Sequence, residues 1–184
     1  MSILILYATT EGQTRKIARF CGRHLSERGL STEILPLADA TDIDLNAHDG
    51  VLVLASVHAG DYQPELGDFA QDYAAVLPLL PNAFLSVSLS AAGDDEDDWK
   101  GLEACVARMA EDTGWTPQEV VHVAGAFRFG EYNWLKTWAM RWIAAQKGVD
   151  ASEGEDVEFT DWAALEAFLD RWTEGVAGGE VDSD

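Results

Sequence analysis

Residues 3–14 read ILILYATTEGQT, and this stretch decides the fold of the chain. It opens with an unbroken apolar run, which is typical of a parallel strand buried on both faces of a sheet. Residues 15–28 then carry apolar side chains at helical spacing, namely Ile17, Ala18, Cys21 and Leu25. The turn between strand and helix holds three threonines and one glycine. Hydroxyls and backbone N–H groups at the positive end of a helix form a site for a phosphate, and an unoccupied polar turn is the alternative.

The composition is that of one globular domain with an unusual charge. The chain has 184 residues, of which 47% are hydrophobic, as is ordinary for a folded domain. It carries 33 Asp and Glu against 12 Lys and Arg, a formal net charge of -21. A nucleic-acid partner is excluded, because binding phosphates requires a basic face. The acidic excess is densest at residues 94–98 and from residue 174 onward. It indicates either a solvated surface suited to high salt or a docking face for a basic redox partner.

No segment indicates membrane insertion, export or a metal centre. No window approaches the roughly 20 apolar residues of a membrane span, and the chain starts as a strand without a basic region ahead of it. We therefore expect a cytoplasmic protein. Cys21 and Cys105 fall on predicted helices without CxxC or histidine-rich spacing. Buried thiols are expected there, rather than a disulfide or a metal site.

Further strands follow along the chain, alternating with helices. Strands are predicted at residues 32–37, 50–55, 82–89 and 119–126, and helices at residues 64–76 and 99–114. This alternation predicts a doubly wound α/β fold, with five parallel strands and helices on both faces of the sheet. Ligands of such sheets bind at the carboxyl ends of the strands. Polar loops follow strands one, three and four at that end, at residues 9–14, 56–62 and 90–93.

The C-terminal part departs from this alternation. Residues 127–156 form a long insertion after strand five, with an aromatic amphipathic stretch at residues 133–147. A short strand at 157–159 and a closing helix at 162–172 complete the predicted domain, which spans residues 1–173. The Gly-rich acidic tail at residues 174–184 is expected to be disordered.

The first polar loop narrows the kind of phosphate that it can bind. It lacks the GxxxxGK[ST] and GxGxxG arrangements and has no lysine where a nucleoside triphosphate needs one. The hydroxyls of Thr9, Thr10 and Thr14 suit a dianionic monophosphate that is bound without a basic side chain. The phosphate of FMN fits this description.

Several motifs occur in order along the chain and together carry a family resemblance. They are EGQTR at residues 11–15, SVHAGDY at 56–62, FLSVSL at 84–89, GWTP at 114–117, AGAFRFGEYNW at 124–134 and FTDW at 159–162. With these motifs the chain resembles the flavodoxin-like family over essentially its whole length. Within that family it looks most like the menaquinone-dependent protoporphyrinogen IX dehydrogenases.

The resemblance implies the strand order 2-1-3-4-5, a long helical insertion associated with strand five, and FMN as the cofactor. The FMN phosphate is expected on Thr9, Thr10, Glu11, Gly12, Gln13 and Thr14. The isoalloxazine ring is expected between Ser56, Val57, His58, Ala59, Gly60, Asp61 and Tyr62 on one side and Leu89, Ser90, Ala91, Ala92 and Gly93 on the other. Tyr62 either stacks on the ring or packs under its loop. His58 is a weak candidate for a proton donor, with simple solvation as the alternative.

The same resemblance implies oxidation of protoporphyrinogen IX to protoporphyrin IX in haem biosynthesis, with menaquinone as the acceptor. Substrate contacts are expected at Arg128, Tyr132, Trp134 and Trp138. Tryptophans 134, 138 and 142 form one stripe, which has a second interpretation as part of the core or of a subunit interface. A homo-oligomer and a peripheral contact with the inner face of the cell membrane therefore stay open.

Two features depart from the family pattern, and other functions compete with the enzyme. Glu11 places a carboxylate beside the expected phosphate, and residues 94–98 would repel both propionates and anionic lipid. A flavodoxin-type electron carrier, which docks to redox proteins, is the main alternative. An NAD(P)H or quinone reductase is a further one, for which the chain shows no nicotinamide motif.

Overall fold

A computed structural model describes residues 1–127 and 157–178, and a parallel sheet forms its centre. The strands are β1 (Ser2–Ala8), β2 (Ser31–Pro36), β3 (Gly50–Ser56), β4 (Asn82–Ser88) and β5 (Glu119–Ala124). Neighbouring strands are parallel, in the order β2-β1-β3-β4-β5. The predicted doubly wound sheet and its strand order are confirmed.

Helices connect the parallel strands, except between β2 and β3, where two 3-10 turns, Leu37–Asp39 and Leu45–Ala47, make the connection. The helices of the described residues are α1 (Gln13–Glu27), α2 (Pro64–Asp72), α3 (Glu96–Thr113) and α4 (Trp162–Gly178). Helices α1 and α4 pack on one face of the sheet, and α2 and α3 pack on the other. None of the helices in this part of the chain is long and apolar enough to cross a membrane.

The first strand shows why the opening run is apolar throughout. Successive side chains of a strand point to opposite faces of a sheet. Ile3 and Ile5 accordingly pack against α1 and α4, whereas Leu4 and Leu6 pack with α2 and α3. All four side chains are fully buried. Each face of the strand enters a separate core. A polar residue at any of these four positions would therefore be buried among apolar side chains.

A two-stranded antiparallel ribbon joins the two described parts of the chain. Its strands are β6 (Ala126–Phe127) and β7 (Val157–Glu158), with Ala126 opposite Glu158. The next amide, that of Phe159, donates to the Gly125 carbonyl at 3.0 Å. The predicted fifth strand, residues 119–126, is thus divided at Gly125. The predicted insertion, with Arg128, Tyr132, Trp134, Trp138 and Trp142, lies outside the described residues.

Helix α2 is shorter than the apolar spacing predicts. It ends at Asp72 rather than near Val76, and Leu77 is buried from a 3-10 turn, Leu77–Leu79, instead of from the helix. Pro78 lies in that turn and supplies no amide donor, which disfavours a longer helix. The Tyr73 hydroxyl accepts a hydrogen bond from the Ile43 amide at 2.8 Å, so the chain turns where the helix ends.

The acidic run after β4 belongs largely to the start of α3 and not to a loop. The Asp95 carboxylate accepts hydrogen bonds from the amides of Asp97 and Asp98 at 2.9 and 3.3 Å and caps the helix. Glu96, Asp97 and Asp98 occupy its first turn. Carboxylates are stabilised at the positive end of a helix. Part of the acidic excess therefore has a structural role that neither a solvated surface nor a docking face describes.

The closing helix is longer than predicted. Helix α4 continues to Gly178 instead of ending at Trp172, and Thr173 and Val176 are buried. The predicted disordered tail therefore does not begin at Glu174, because residues 174–178 are helical. Residues 179–184 lie outside the described part of the chain.

Candidate functional site

A cavity of about 360 Å³ opens at the carboxyl ends of β1, β3 and β4. Three loops surround it, which we call the first loop (residues 9–14), the second loop (56–62) and the third loop (88–93). The lining residues are Thr9, Thr10, Glu11, Gln13, Thr14, Ser56, Val57, His58, Ala59, Gly60, Val87, Ser88, Leu89, Ser90, Leu102, Gly125 and Ala126. This is the edge at which ligands of doubly wound sheets bind.

The first loop ends in a helix start whose N–H groups have no side-chain cap. Gly12, in the left-handed conformation with φ 89°, precedes α1, and no side chain accepts from the first turn. The Thr9 hydroxyl accepts from the Gly12 amide at 2.9 Å and closes the turn. The first amides of a helix lack intrahelical acceptors. They are therefore available to an anion at the positive end of the helix dipole.

Thr14 is the most informative residue of this loop. It is fully buried, and its hydroxyl oxygen has no hydrogen-bond partner within the described structure. Leaving a buried hydroxyl unsatisfied costs about 1–3 kcal/mol. Since Thr14 lines the cavity, a ligand there that offers an acceptor would satisfy the hydroxyl.

Gln13 and Lys16 attach the first loop to the ribbon. The Gln13 side-chain amide donates to Glu158 at 2.6 Å and to the Thr160 hydroxyl at 3.0 Å. Lys16 forms an ion pair with Glu158 at 2.8 Å. Burial opposes ionisation of Glu158, but the hydrogen bonds from Lys16 and Gln13 outweigh it and hold the pKa of this carboxyl below its usual value. Lys16, which follows this loop closely in sequence, is therefore paired with the Glu158 carboxylate.

Gln63 connects the first and second loops and was not recognised from the sequence. Its amide nitrogen donates to the Thr10 hydroxyl at 3.1 Å and to the Ser56 hydroxyl at 2.7 Å. Its carbonyl oxygen accepts from the Ser56 amide at 3.2 Å. A single side chain thereby fixes the distance between the two loops. The only sequence signal is its place just before Pro64, the first residue of α2.

The second loop is a tight turn closed by its own backbone. His58 and Asp61 exchange hydrogen bonds, with N···O distances of 2.8 and 3.1 Å. The two residues between them, Ala59 and Gly60, have φ angles of 52° and 89°. Two consecutive residues with positive φ define a tight turn that favours glycine at both positions. Ala59 is therefore held in a conformation that costs free energy.

Helix α3 holds the outer side of this turn. The Gly60 carbonyl accepts from Arg108 Nη2 at 2.6 Å and from the Cys105 thiol at 3.1 Å. Arg108 also pairs with Asp61, with a distance of 3.4 Å between Nε and Oδ1. Burial raises the pKa of the Cys105 thiol, and the charge of Arg108 opposes this. The thiol therefore stays protonated and acts as a donor.

Tyr62 lies beneath the second loop. Its hydroxyl forms a hydrogen bond with the Ser86 hydroxyl at 2.8 Å, and its ring packs edge-on against Phe84, with centroids 5.2 Å apart. Burial raises the pKa of Tyr62 to about 12. Of the two interpretations of this tyrosine, the structure supports packing under the loop, and Tyr62 is not among the residues that line the cavity.

The third loop is divided between two cavities. Ser88, Leu89 and Ser90 line the first cavity, whereas Ala91 and Ala92 line a second one beside it. The Ser88 hydroxyl accepts from the Ala91 amide at 3.2 Å and fixes the turn.

The structure brings most of the predicted site residues together. Those that do not line the first cavity are Gly12, Asp61, Tyr62, Ala91, Ala92 and Gly93. Gly93 instead accepts at its carbonyl from the Trp99 indole at 2.8 Å. The lining residues not predicted are Val87, Ser88, Leu102, Gly125 and Ala126. Within residues 1–127 and 157–178, no three His, Cys, Asp or Glu side chains are arranged to hold a metal ion.

The fold and this cavity define a class of protein. The flavodoxin domain family model matches residues 4–153, so the chain belongs to the flavodoxin domain family. Curated proteins similar in sequence to this chain include protoporphyrinogen IX dehydrogenase [quinone] from Escherichia coli (strain K12). That protein is 27% identical over 91% of this chain and 92% of its own length. A protein of the same name from Leishmania major is 26% identical over 90% of this chain and 71% of its own length.

Solved structures share the fold at low sequence identity. Oxidised Flavodoxin 2 from Bacillus cereus superposes with a TM-score of 0.58 and 16% identity, covering 95% of this chain and 99% of that one. A short-chain flavodoxin associated with a bacterial microcompartment gives a TM-score of 0.57 and 13% identity, with 96% and 99% covered. The chain accordingly has the flavodoxin-like fold.

Proposed function

We propose that this protein binds FMN and oxidises protoporphyrinogen IX to protoporphyrin IX, with a quinone as the electron acceptor. One observation supports FMN as the cofactor. The buried Thr14 hydroxyl, which has no partner among the described residues, lies at a helix start without a side-chain cap. The substrate is supported by the names of relatives that align with 90% or more of this chain.

The residues of the first loop suit the phosphate of FMN. The Thr14 hydroxyl and the first amides of α1 would donate to phosphate oxygens, and Thr9 and Thr10 add hydroxyls at the same rim. Lys16 is bound to Glu158 and so leaves the anion to these neutral donors. Glu11 also lines the cavity, and its carboxylate must be turned away from a bound phosphate.

The other two loops would hold the ring. The shape of the second loop is set by its backbone hydrogen bonds and by Arg108 before any ligand binds. Val87, Leu89 and Leu102 add apolar surface to the walls. When bound there, FMN supplies the electron chemistry of the reaction. The chain's own residues bind and orient it and exclude water, and none of them is assigned a proton transfer.

The reaction balances without a further cofactor. Protoporphyrinogen loses six hydrogen atoms on becoming the porphyrin, and three quinones take up two each to become quinols. Contacts of Arg128, Tyr132, Trp134 and Trp138 with the porphyrinogen remain part of the proposal, since these residues lie outside the described structure.

The cofactor and the substrate are tested in two steps. The protein is first purified and its visible spectrum recorded, with and without added FMN. A yellow protein with a flavin spectrum is expected, and a preparation that stays colourless with added FMN contradicts the cofactor. The FMN-loaded protein is then mixed anaerobically with protoporphyrinogen IX and a soluble menaquinone analogue. Porphyrin fluorescence should rise faster than in the mixture without protein.

A flavodoxin-type electron carrier is the second candidate. The observation that favours it is the net charge of -21, which suits docking to a basic redox protein. Such a carrier would bind FMN in the first step, but porphyrin fluorescence in the second would rise only at the uncatalysed rate. The two outcomes separate the enzyme from the carrier with one sample of protein.

A further inference from the structure

The basic side chains of the described residues are concentrated on one helix. Four of the eight described Lys and Arg residues lie on α1, although the whole chain carries a net charge of -21. Three of them, Arg15, Arg19 and Arg23, recur at every fourth position, and this spacing places them on one face of the helix. All three are exposed, because the opposite face of α1, with Ile17 and Cys21, is buried. The helix therefore presents a stripe of positive charge to solvent.

The arginines of this stripe differ from the other described cations in having no carboxylate partner among the described residues. Each remaining basic side chain forms an ion pair. The pairs are Lys16 with Glu158, Arg28 with Asp170, Lys100 with Glu96, Arg108 with Asp61 and Arg171 with Glu119. The stripe is therefore the part of the described structure that is able to attract an anion from outside the molecule without first breaking an ion pair.

Two aromatic rings lie beside the stripe. Phe20 and Trp162, the first residue of α4, are in contact with centroids 4.6 Å apart, and both are partly exposed. The Arg23 guanidinium lies 5.4 Å from the centre of the Phe20 ring, and Lys16 Nζ lies 5.4 Å from that of Trp162. Aromatic rings among cations are typical of surfaces that lie at the boundary between lipid head groups and acyl chains. We call this set the basic-aromatic surface, made up of Arg15, Arg19, Phe20, Arg23 and Trp162.

The most acidic turn of the described chain lies on the other side of the sheet. Residues 96–98 begin α3, which packs on the face opposite to α1. Nearer to the basic-aromatic surface, Asp161 precedes α4, and Glu27 and Glu166 are exposed toward the C-terminal end of α1. The Debye length at physiological salt is about 8 Å. Repulsion between an anionic surface and the far side of the protein is therefore screened, whereas the arginines would touch that surface.

The proposed function gives this surface a reason to meet a bilayer. A menaquinone carries a long isoprenoid chain and dissolves in lipid. Helix α1 begins at the first loop, whose residues line the first cavity. A protein that rests on its basic-aromatic surface would therefore hold the rim of this cavity beside the lipid. An acidic protein would account for the arginines, but a bilayer accounts in addition for the rings and for the supply of quinone.

We propose that the basic-aromatic surface docks the protein onto a lipid bilayer that contains anionic head groups. The choice of lipid rests on the proposed function, because the bilayer supplies the quinone that this function requires. The contact is peripheral and reversible. Each arginine close to such a surface strengthens binding by about fivefold, so the three together contribute about 100-fold.

The test is co-sedimentation of the full-length protein, with FMN present, with sucrose-filled vesicles. Vesicles of phosphatidylglycerol mixed with phosphatidylcholine should bring down the protein at about 0.15 M NaCl, and vesicles of phosphatidylcholine alone should bring down far less. Binding should be lost at about 1 M NaCl, because salt screens the attraction. If the anionic vesicles bring down no protein at the lower salt concentration, the inference is wrong.

Variants of the stripe assign the binding to this surface. The triple variant Arg15→Gln, Arg19→Gln, Arg23→Gln should bind the anionic vesicles about 100-fold more weakly. Arg19→Gln alone should cost about fivefold. Its matched control is Lys100→Gln, which changes the net charge equally on the opposite face and should leave vesicle binding unchanged. FMN affinity should be the same in all of these proteins. Undiminished vesicle binding by the triple variant would mean that another surface meets the lipid.

Two further measurements separate lipid from a protein partner. Replacing the same three arginines by lysine should preserve vesicle binding, because lipid head groups respond to charge rather than to the shape of a guanidinium. A loss as large as that with glutamine would contradict docking onto lipid. Sedimentation velocity without vesicles tests for a second copy of this chain. Self-association that the triple glutamine variant abolishes, without vesicle binding by the parent, would make the second copy the partner and overturn the inference.

The inference and the proposed function fail in different ways. Vesicle binding requires no porphyrinogen, and oxidation of protoporphyrinogen by a soluble menaquinone analogue requires no vesicle. Oxidation without vesicle binding would remove the docking surface and keep the enzyme. Stripe-dependent vesicle binding without oxidation would keep the docking surface and remove the enzyme.

Discussion

The first and second loops border the same cavity but are built in opposite ways. In the first, the helix start has no side-chain cap and the buried Thr14 hydroxyl lacks a partner in the described structure. In the second, the turn is closed by backbone hydrogen bonds, and Arg108 and Cys105 satisfy the Gly60 carbonyl. The first loop therefore leaves hydrogen-bond donors open for a ligand, whereas the second loop satisfies its own polar groups. We therefore expect binding of the phosphate and the shape of the second loop to depend on different residues, so that each can be altered separately.

The largest effect is expected from Thr14→Val, which removes the open hydroxyl at nearly constant volume. FMN affinity should fall by roughly 1–3 kcal/mol, because a charge-assisted hydrogen bond to the phosphate is lost. Riboflavin, which has no phosphate, should bind the variant and the parent equally well. The ligand-free variant should also unfold at higher urea, by about 1 kcal/mol, because no buried hydroxyl is left unsatisfied.

Thr113→Val is the matched control for this stability effect. Thr113 is equally a buried threonine, but its hydroxyl donates to the Met109 carbonyl at 2.7 Å and accepts from the Trp115 amide at 3.2 Å. Its removal should destabilise the protein by about 1 kcal/mol. If both variants lose stability alike, the Thr14 hydroxyl is not open in the ligand-free protein.

The next effect concerns Arg108→Met, which releases the second loop. The Gly60 carbonyl keeps the Cys105 thiol but loses its charged donor at 2.6 Å. Because the arginine is about half exposed, a loss of about 1 kcal/mol in ligand affinity is expected. FMN and riboflavin should be affected by the same factor, about fivefold, since the contact is remote from the phosphate.

Arg171→Met gives the comparison for Arg108. Arg171 pairs with Glu119 at the opposite end of β5 and lines neither cavity. Flavin fluorescence titrations of this variant should match the parent. A loss confined to FMN in the Arg108 variant would mean that the arginine acts on the phosphate and not on the second loop.

A smaller effect is expected from exchanging residues within the turn. Ala59→Gly relieves a left-handed alanine and should stabilise the protein by about 0.5–1 kcal/mol, after the entropy cost of glycine is deducted. Gly60→Ala should destabilise it by about 1 kcal/mol, although nothing lies within 4 Å of the added methyl, because the φ of 89° disfavours alanine. Chemical unfolding of the ligand-free proteins measures both. Equal stabilities would show that the turn does not keep these angles in solution.

The smallest expected effect is a pH dependence of the stability that comes from the contacts of Gln13 and Lys16 with Glu158. The pKa of Glu158 is held below its usual value by Lys16 and Gln13 against the effect of burial. The stability from this pair is therefore present above the unfolded pKa of about 4.3 and is lost as the pH falls through the lower folded value. Glu158→Gln should cost about 0.3–0.5 kcal/mol at pH 7. The difference from the parent should shrink as the pH falls below the unfolded value. Glu96→Gln, at an exposed carboxylate beside Lys100, is the matched control and should leave the stability at pH 7 unchanged.

The sequence predicts what depends on neighbouring residues and misses what depends on distant ones. Local patterns predicted the apolar run of β1, the turn at Gly12 and the polar loops at the strand ends. The family resemblance predicted the order of the strands in the sheet. Gln63 and Arg108 were not predicted, because their partners Thr10 and Gly60 lie far away in the chain. Taken alone, Gln63 just before a helix and Arg108 within one both look like solvated residues. The early end of α2 had a local signal in Pro78, whereas the hydrogen bond between Tyr73 and Ile43 at that point had none. The Asp95 cap, in contrast, had a local signal in the acidic first turn of α3.

The ribbon of β6 and β7 has a consequence for how such a protein can change over generations. It brings Ala126–Phe127 and Val157–Glu158 side by side, so the chain between them leaves and re-enters the domain at one place. Once its ends are joined, doubling the length of such a segment adds only about 0.6 kcal/mol of closure entropy. Sequence between the two strands can therefore be lengthened, shortened or replaced while the sheet and its three loops keep their stability. Selection can rework that segment without rebuilding the first cavity.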